Sequence, residues 1–465
     1  MAKTREVDLT SGPLLKKMIL FALPIIGVNV LQILFTTADV TVLGIFTTDQ
    51  AVAAVGTVTP IVNLLIGFFA GMSIGVNILV ARCKGAEDKE RSLKIVGTSV
   101  FISLTVGIFL AVFGFFMAET LLVMSNCAPS VLPYATKYLK IYFLGMPIIM
   151  LYNFSASVMR AVGDTLRPLI FLIVGGVLNV SLNIFFVVVV GWDVEGVAIA
   201  TVASQAVSAG GAIYLMIKND GYAKLALKNV KFYWQEVKQI FIIGLPIGLS
   251  KCLFSMANVI IQSNINVLGE TVMASYSITK EFDGFILETM HGFGAACVAV
   301  ISQNYGAKNI IRIKQTIFIS FGMVLVVGIG LGALLLIFGR ALCSIMTDTE
   351  QVLDYCMVRI TSVSIFYFLL GVLNVVQEGI RGMGKTFTAT LISIFANIIL
   401  RLIYIYGFYS WLSLSGNIAY KLTLLYILYP VSWCIASIVG GIILINLFKK
   451  TKKRFETEKA QGAKE

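Results

Sequence analysis

Charge is scarce in this chain: only 13% of its 465 residues are Asp, Glu, Lys or Arg, against about 25% in ordinary soluble domains. A water-facing surface needs more, so the roughly three soluble domains that length alone would suggest are excluded. Histidine is scarcer still. One residue, His291, makes histidine-based metal cages and Ser-His-Asp triads hard to build. Seven cysteines (Cys83, Cys127, Cys252, Cys297, Cys343, Cys356 and Cys434) form no CxxC pair, so neither a zinc ribbon nor a disulfide framework is expected. No GxxxxGK[ST] loop points to ATP, and no nucleophile-and-base constellation points to an enzyme or an organic cofactor.

What the chain has in abundance is apolar sequence, 58% of its residues. A membrane-crossing helix needs about 20 mostly apolar residues to cover a hydrocarbon core of roughly 30 Å. Twelve stretches qualify: 16–44, 52–80, 94–117, 138–161, 168–191, 196–217, 238–267, 273–303, 314–338, 356–380, 387–410 and 419–447, numbered here as spans 1 to 12. Span 1 is too long, and lacks a small-residue cleavage site, to be a secretory signal peptide. The expected fold class is therefore an all-α membrane protein with twelve transmembrane helices and short connections.

Lys and Arg accumulate on the cytoplasmic side of membrane proteins. With the N-terminus inside, 28 of the 36 basic residues fall in cytoplasmic segments. Lys137, Lys140, Arg340, Arg359 and Lys421 are assigned to the other side, and Lys251, Lys280 and Arg401 to span interiors. Both termini are thus expected in the cytoplasm of a multi-pass inner-membrane protein. The net charge of +12 then sets orientation and lipid contact rather than nucleic-acid binding. The tail Lys449-Lys450-Thr451-Lys452-Lys453-Arg454 is the clearest case.

Two landmarks recur at an offset of 221 residues. Gly85-Ala86 after span 2 matches Gly306-Ala307 after span 8, and Arg160-Ala161-Val162-Gly163 after span 4 matches Arg381-Gly382-Met383-Gly384 after span 10. Leu23-Pro24-Ile25 and Leu245-Pro246-Ile247 recur at 222. The chain therefore reads as a six-helix lobe at 1–217, a basic linker at 218–237, a second six-helix lobe at 238–448 and a basic tail at 449–465. Six is even, so the lobes share one topology and can be related by a pseudo-twofold axis along the membrane normal, an arrangement that usually encloses a midplane cavity. Pro24 and Pro246 would kink spans 1 and 7.

An ionisable group at the centre of a span costs about 2.5–3.5 kcal/mol or more and usually faces a cavity. In the first half the clear case is Asp39. Span 5 presents Asn179 and Asn183 on one helical face, and span 6 presents Thr201 with Gln205 one turn on. Counting about 1.5 Å per residue puts Asn183 about 22 Å from the inner start of span 5 and Thr201 about 8 Å from the outer start of span 6, the same level. One carboxylate among amide and hydroxyl oxygens could bind Na⁺, making Asp39 the candidate metal ligand, or hold a proton; interhelical hydrogen bonding alone is the competing reading. In the second half, span 8 carries Glu281, Glu288 and His291 on one stripe, with Lys280 able to reach Asp283. Their counterparts Pro60, Gly67 and Ala70 carry no charge. Glu378, Lys251 and Arg401 would complete a network. An acidic cavity would attract organic cations, and His291 could exchange protons; buried ion pairs without transport are the competing reading.

At these residues the sequence resembles the multidrug and toxic compound extrusion (MATE) family over essentially its whole length. The resemblance rests on Asp39 before Val42-Leu43-Gly44, Ala81-Arg82 with Gly85-Ala86, the Arg160/Gly163 and Arg381/Gly384 turns, and Gly196-Val197-Ala198-Ile199-Ala200-Thr201. It implies an antiporter, working as a monomer by alternating access, that exports cationic or other amphipathic small molecules in exchange for H⁺ or Na⁺. It further implies that Asp39, Asn179 and Thr201 belong to a coupling cluster, in which Asn183 stands where the family usually has an aspartate. A lipid-linked precursor flippase of the same superfamily would be expected to line its cavity with cationic residues, and an ion channel would need no conformational coupling.

Overall fold

The computed structural model describes residues 6–412 and 417–462, and all of its regular structure is helical. Among the described residues, eleven helices are long and apolar enough to cross a membrane: Leu14–Phe46, Asp49–Gly85, Lys89–Met124, Leu166–Val189, Val194–Lys218, Trp234–Asn266, Glu270–Gly306, Ile310–Ser344, Glu350–Gly382, Thr386–Leu412 and Ile418–Gln461. A bent pair, Leu132–Leu144 with Met146–Ala161 at 50°, supplies span 4 and makes twelve. Pro147 sits in the first turn of the second piece, a position that tolerates a missing N–H, and the break at Gly145 lies just before it. Large apolar side chains such as Phe116 (75% exposed) and Val326 (73%) cover the outside, a surface suited to hydrocarbon and not to water.

The repeat is written into the backbone. Glu87 and Lys308, 221 residues apart, both adopt positive φ (58° and 54°). Each follows a helix end and precedes a capping side chain: Asp88 accepts from the Arg91 N–H at 3.0 Å and Asn309 from the Arg312 N–H at 3.1 Å. Gly163 and Gly384 share φ of 92° and 93°, a conformation that side chains rarely adopt. The repeated Gly-Ala and Arg-x-x-Gly landmarks are thus the turns that close spans 2, 4, 8 and 10.

The helices gather into two compact units. One holds Leu23–Gly248 with the segment ending at Leu9; the other holds Thr10–Ala22 and the chain from Leu249 onward. The division therefore falls inside span 7 rather than in the 218–237 linker, and a short stretch of span 1 is exchanged. Glycines explain why the first turns of span 7 stay with the first unit. Span 2 presents Gly71 and Gly75 to Gly248 and Gly244, so closely that a Cβ built on Gly71 would lie 2.6 Å from the Gly248 Cα, and one on Gly75 2.8 Å from the Gly244 Cα. Two small-xxx-small faces pack backbone to backbone.

Neither the linker nor the tail is a free segment. In the linker, Ala223 and Leu225 are buried, and the Tyr222 carbonyl accepts from Ser92 Oγ at 2.7 Å. In the tail, the helix of span 12 runs on through the basic residues, burying Thr451 and Phe455 and placing Arg454 Nη2 2.9 Å from Tyr305 Oη.

Candidate functional site

In the first unit, spans 1, 5 and 6 bring Asp39, Asn183, Asn179 and Thr201 into one cluster. Asn183 Nδ2 donates to Asp39 Oδ1 at 2.5 Å, and Thr201 Oγ1 lies 3.3 Å from Asp39 Oδ2. Asn179 Nδ2 donates to Thr201 Oγ1 at 3.3 Å, and Asn183 Nδ2 is also 3.4 Å from Asn179 Oδ1. Asp39 is 8% exposed, Asn179 4% and Asn183 0%. The equal depths counted along spans 5 and 6 are what allow these side chains to meet. Just beyond Asn183, residues Phe185–Val189 form a π-helical turn; such turns often re-aim side chains at functional sites.

Asn183 Oδ1 has no hydrogen-bond partner, and neither has Gln205 Oε1 one turn along span 6 from Thr201. The amide of Asn183 is turned so that its donor faces the carboxylate. That orientation suits an ionised Asp39, whose oxygens only accept. A protonated Asp39, or one holding Na⁺, would instead favour the amide oxygen, so occupancy and amide orientation are linked. At the 221 offset the cluster's counterparts are Ile260, Leu400, Tyr404 and Leu422; the arrangement belongs to one half only. The sequence reading did not single out the tyrosine pair Tyr138 and Tyr142. Both are buried in the first piece of span 4, with rings stacked at 6.2 Å. Their i, i+4 spacing was the available signal.

The second unit departs from expectation. Glu288 and His291 do meet, Oε1 to Nδ1 at 3.6 Å, and both are half-buried. Glu281 and Lys280 are exposed. Asp283 does not pair with Lys280; it is held by Arg359 and by the Tyr367 hydroxyl. Arg359, counted above with the charges of the outer side, is 3% exposed inside span 10. It lies near the start of that span, where a charge is easily taken for a flanking one. Glu378 does not join Lys251 and Arg401 but is paired with Arg381 in the same helix. At the 221 offset its counterpart is Ser157, which accepts from Arg160 Nη2 at 3.0 Å. Each half therefore uses the residue three before its turn arginine to hold that arginine, and Glu378 is the charged version of that support.

Comparison with known proteins agrees with this architecture. The MatE family model matches residues 24–185 and 246–406, one copy in each half. The probable multidrug resistance protein YpnP of Bacillus subtilis is 25% identical over 412 residues, covering 89% of this chain and 92% of its own. The multidrug export protein MepA of Staphylococcus haemolyticus is 23% identical, covering 80% and 83%. Among solved structures, a MOP-superfamily transporter from Pyrococcus furiosus superposes with a TM-score of 0.89 at 22% identity, over 97% of this chain and 100% of its own.

Proposed function

This chain belongs to the MatE family, and we propose that it is a multidrug exporter of the cell membrane that moves amphipathic or cationic compounds outward in exchange for H⁺ or Na⁺ taken up at Asp39. The observation that carries the reading is the buried Asp39–Asn183–Thr201–Asn179 cluster, a single carboxylate held by neutral donors inside an apolar helix bundle. A carboxylate so placed is costly to retain for packing alone. The relatives named as multidrug resistance and export proteins support the transported class.

Antiport needs the ion to bind the two transport states unequally, since a ligand of equal affinity for both shifts nothing. The Asn183 amide offers a local means. Its donor favours the bare carboxylate and its free oxygen favours the loaded one, so loading breaks one hydrogen-bond arrangement and makes another. With both termini in the cytoplasm, as the distribution of basic residues indicates, Asp39 lies in the outer half of span 1, where it can load from outside. The protein acts as a monomer in this reading.

The test is transport of ethidium by proteoliposomes under separately imposed H⁺ and Na⁺ gradients, with Asp39→Asn beside the native chain. One gradient should drive transport, and the variant should lose the gradient dependence while remaining folded. If neither gradient moves ethidium, or if Asp39→Asn is driven normally, the antiport reading is wrong.

A further inference from the structure

The second unit contains a cluster of the opposite polarity. Arg401 of span 11 is 3% exposed, and its polar contact is to a neutral side chain, Nη1 to Asn258 Oδ1 of span 7 at 3.3 Å. Among the described residues no carboxylate pairs with it. It lies in a four-residue α-helical piece, Leu400–Ile403, between two π-helical turns, Phe395–Ile399 and Tyr404–Tyr409. The ring of Tyr429 from span 12 sits 4.9 Å from the Arg401 guanidinium and 5.7 Å from that of Arg359. Tyr276 and Tyr426 face Arg359 at 4.3 and 5.2 Å, and Trp433 lies 5.8 Å from Tyr429 and 6.2 Å from Tyr367. Asp283 neutralises one guanidinium, so the cluster keeps a net positive charge.

Several donor atoms of this cluster have no partner. They are Arg359 Nε and Nη1, Arg401 Nε and Tyr426 Oη, every one of them able to donate. In the Asp39 cluster the unpartnered atom is Asn183 Oδ1, an acceptor. The two clusters also occupy related places in the repeat. Spans 7, 11 and 12 correspond to spans 1, 5 and 6, and at the 221 offset Arg401 stands one residue past Leu400, the counterpart of Asn179. A buried arginine without a carboxylate is strongly unfavourable unless an anion or a bound dipole completes it. Aromatic faces around a guanidinium reduce that penalty but leave its N–H groups unsatisfied.

We propose that this cluster is an anion-binding site, at which the carboxylate, sulfonate or phosphate of an amphipathic aromatic compound accepts from Arg401, Arg359 and Tyr426 while its rings pack on Tyr429 and Trp433. The proposal rests on the export reading and widens its substrate class from organic cations to aromatic anions. Bidentate geometry makes arginine the suitable residue for such a group.

The probe is fluorescein, followed by fluorescence anisotropy with the full chain in phosphatidylcholine nanodiscs. Saturable binding is expected, with Arg401→Gln weakening it tenfold or more, Arg401→Lys recovering part, and ethidium failing to compete. Since Arg359→Gln alone would strand Asp283, the paired change Arg359→Gln/Asp283→Asn tests the second guanidinium and should also weaken binding. Unchanged binding in both Arg401→Gln and the paired variant overturns the site. A second arm adds phosphatidylglycerol to the discs. Arg401-dependent displacement of fluorescein by that lipid would assign the site to a lipid headgroup and overturn its role toward transported compounds. Gradient-driven ethidium transport is measured on the same preparations. Its persistence alongside failed fluorescein binding removes the anion site alone, whereas its loss in the native chain removes the export reading.

Discussion

Glu378 offers a sharp separation of structural from coupling roles. Its carboxylate and the Arg381 guanidinium are 7% and 6% exposed and paired within one turn of span 10. Removing one partner of such a pair leaves a buried charge uncompensated, at a cost of about 3–5 kcal/mol. Glu378→Met should incur that cost in full. Glu378→Gln, which keeps an acceptor for Arg381, should fall at the low end, near the about 1.5–3 kcal/mol of a hydrogen bond to a charged group. The paired change Glu378→Met/Arg381→Met should restore most of the loss, because two well-packed apolar side chains often replace a buried pair without penalty. Thermal unfolding in detergent, read by thiol labelling as the buried Cys297 and Cys356 become exposed, would show a fall in Tm of several degrees for the single change. The double variant should unfold near the native temperature. Ethidium transport should fall with stability and keep its gradient dependence. If Glu378→Gln instead leaves Tm untouched while abolishing gradient-driven transport, the carboxylate is a coupling group and the assignment to turn support fails.

Gly71→Ala or Gly244→Ala should destabilise by about 1–3 kcal/mol, because the added Cβ meets partner backbone; Gly441→Ala, with nothing within 4 Å, should be neutral or gain up to about 1 kcal/mol from helix propensity. Melting curves of the three variants decide it. Gly384→Ala places a side chain at φ 93° and should cost about 1–3 kcal/mol, and Gly163→Ala should cost more, since its Cβ would also lie 2.5 Å from the Val7 carbonyl oxygen. Asn183→Asp puts a second carboxylate against Asp39, so the pair should share a proton at neutral pH; proton-driven ethidium transport should persist to higher pH than in the native chain, and an unchanged pH profile would count against Asp39 as the proton carrier.

The architecture was legible because the bilayer makes it so. Backbone groups in hydrocarbon must be satisfied within a helix, so twelve apolar stretches become twelve spans. The Asp39 cluster was legible for a related reason, since a carboxylate, two asparagines and a threonine at matched depth in apolar helices have few other partners. The second unit was harder. Arg359 and Asp283 find each other across 76 residues, and no local spacing distinguishes that pairing from Lys280 with Asp283. Glu378 reads as part of a network with Lys251 and Arg401 because its partner Arg381, three residues on, already has a role in a repeated turn. The division inside span 7 depends on glycines whose significance appears only when the facing helix is known.

The two halves show what duplication conserves and what it releases. Turn geometry is held to within a few degrees of φ at Glu87 and Lys308 and at Gly163 and Gly384, because a helix end that must be capped and left within a few residues admits few solutions. Interior side chains face no such restriction beyond volume and polarity. The first half could therefore keep a carboxylate with an unpartnered acceptor beside it, and the second a pair of arginines with unpartnered donors. Packing alone would favour apolar residues at both places, as Ile260, Leu400 and Leu422 show opposite Asp39, Asn179 and Thr201, with Tyr404 opposite Asn183 the one polar counterpart. A structural explanation of the polar sets therefore has to hold for two chemically opposite clusters at once, whereas one ligand of each charge accounts for both. On that argument the decisive comparison is between Asp39→Leu and Arg401→Leu. If both raise Tm while each abolishes a different binding activity, the buried charges are retained for ligands at the expense of stability; if both lower Tm and leave binding intact, they are retained for the fold.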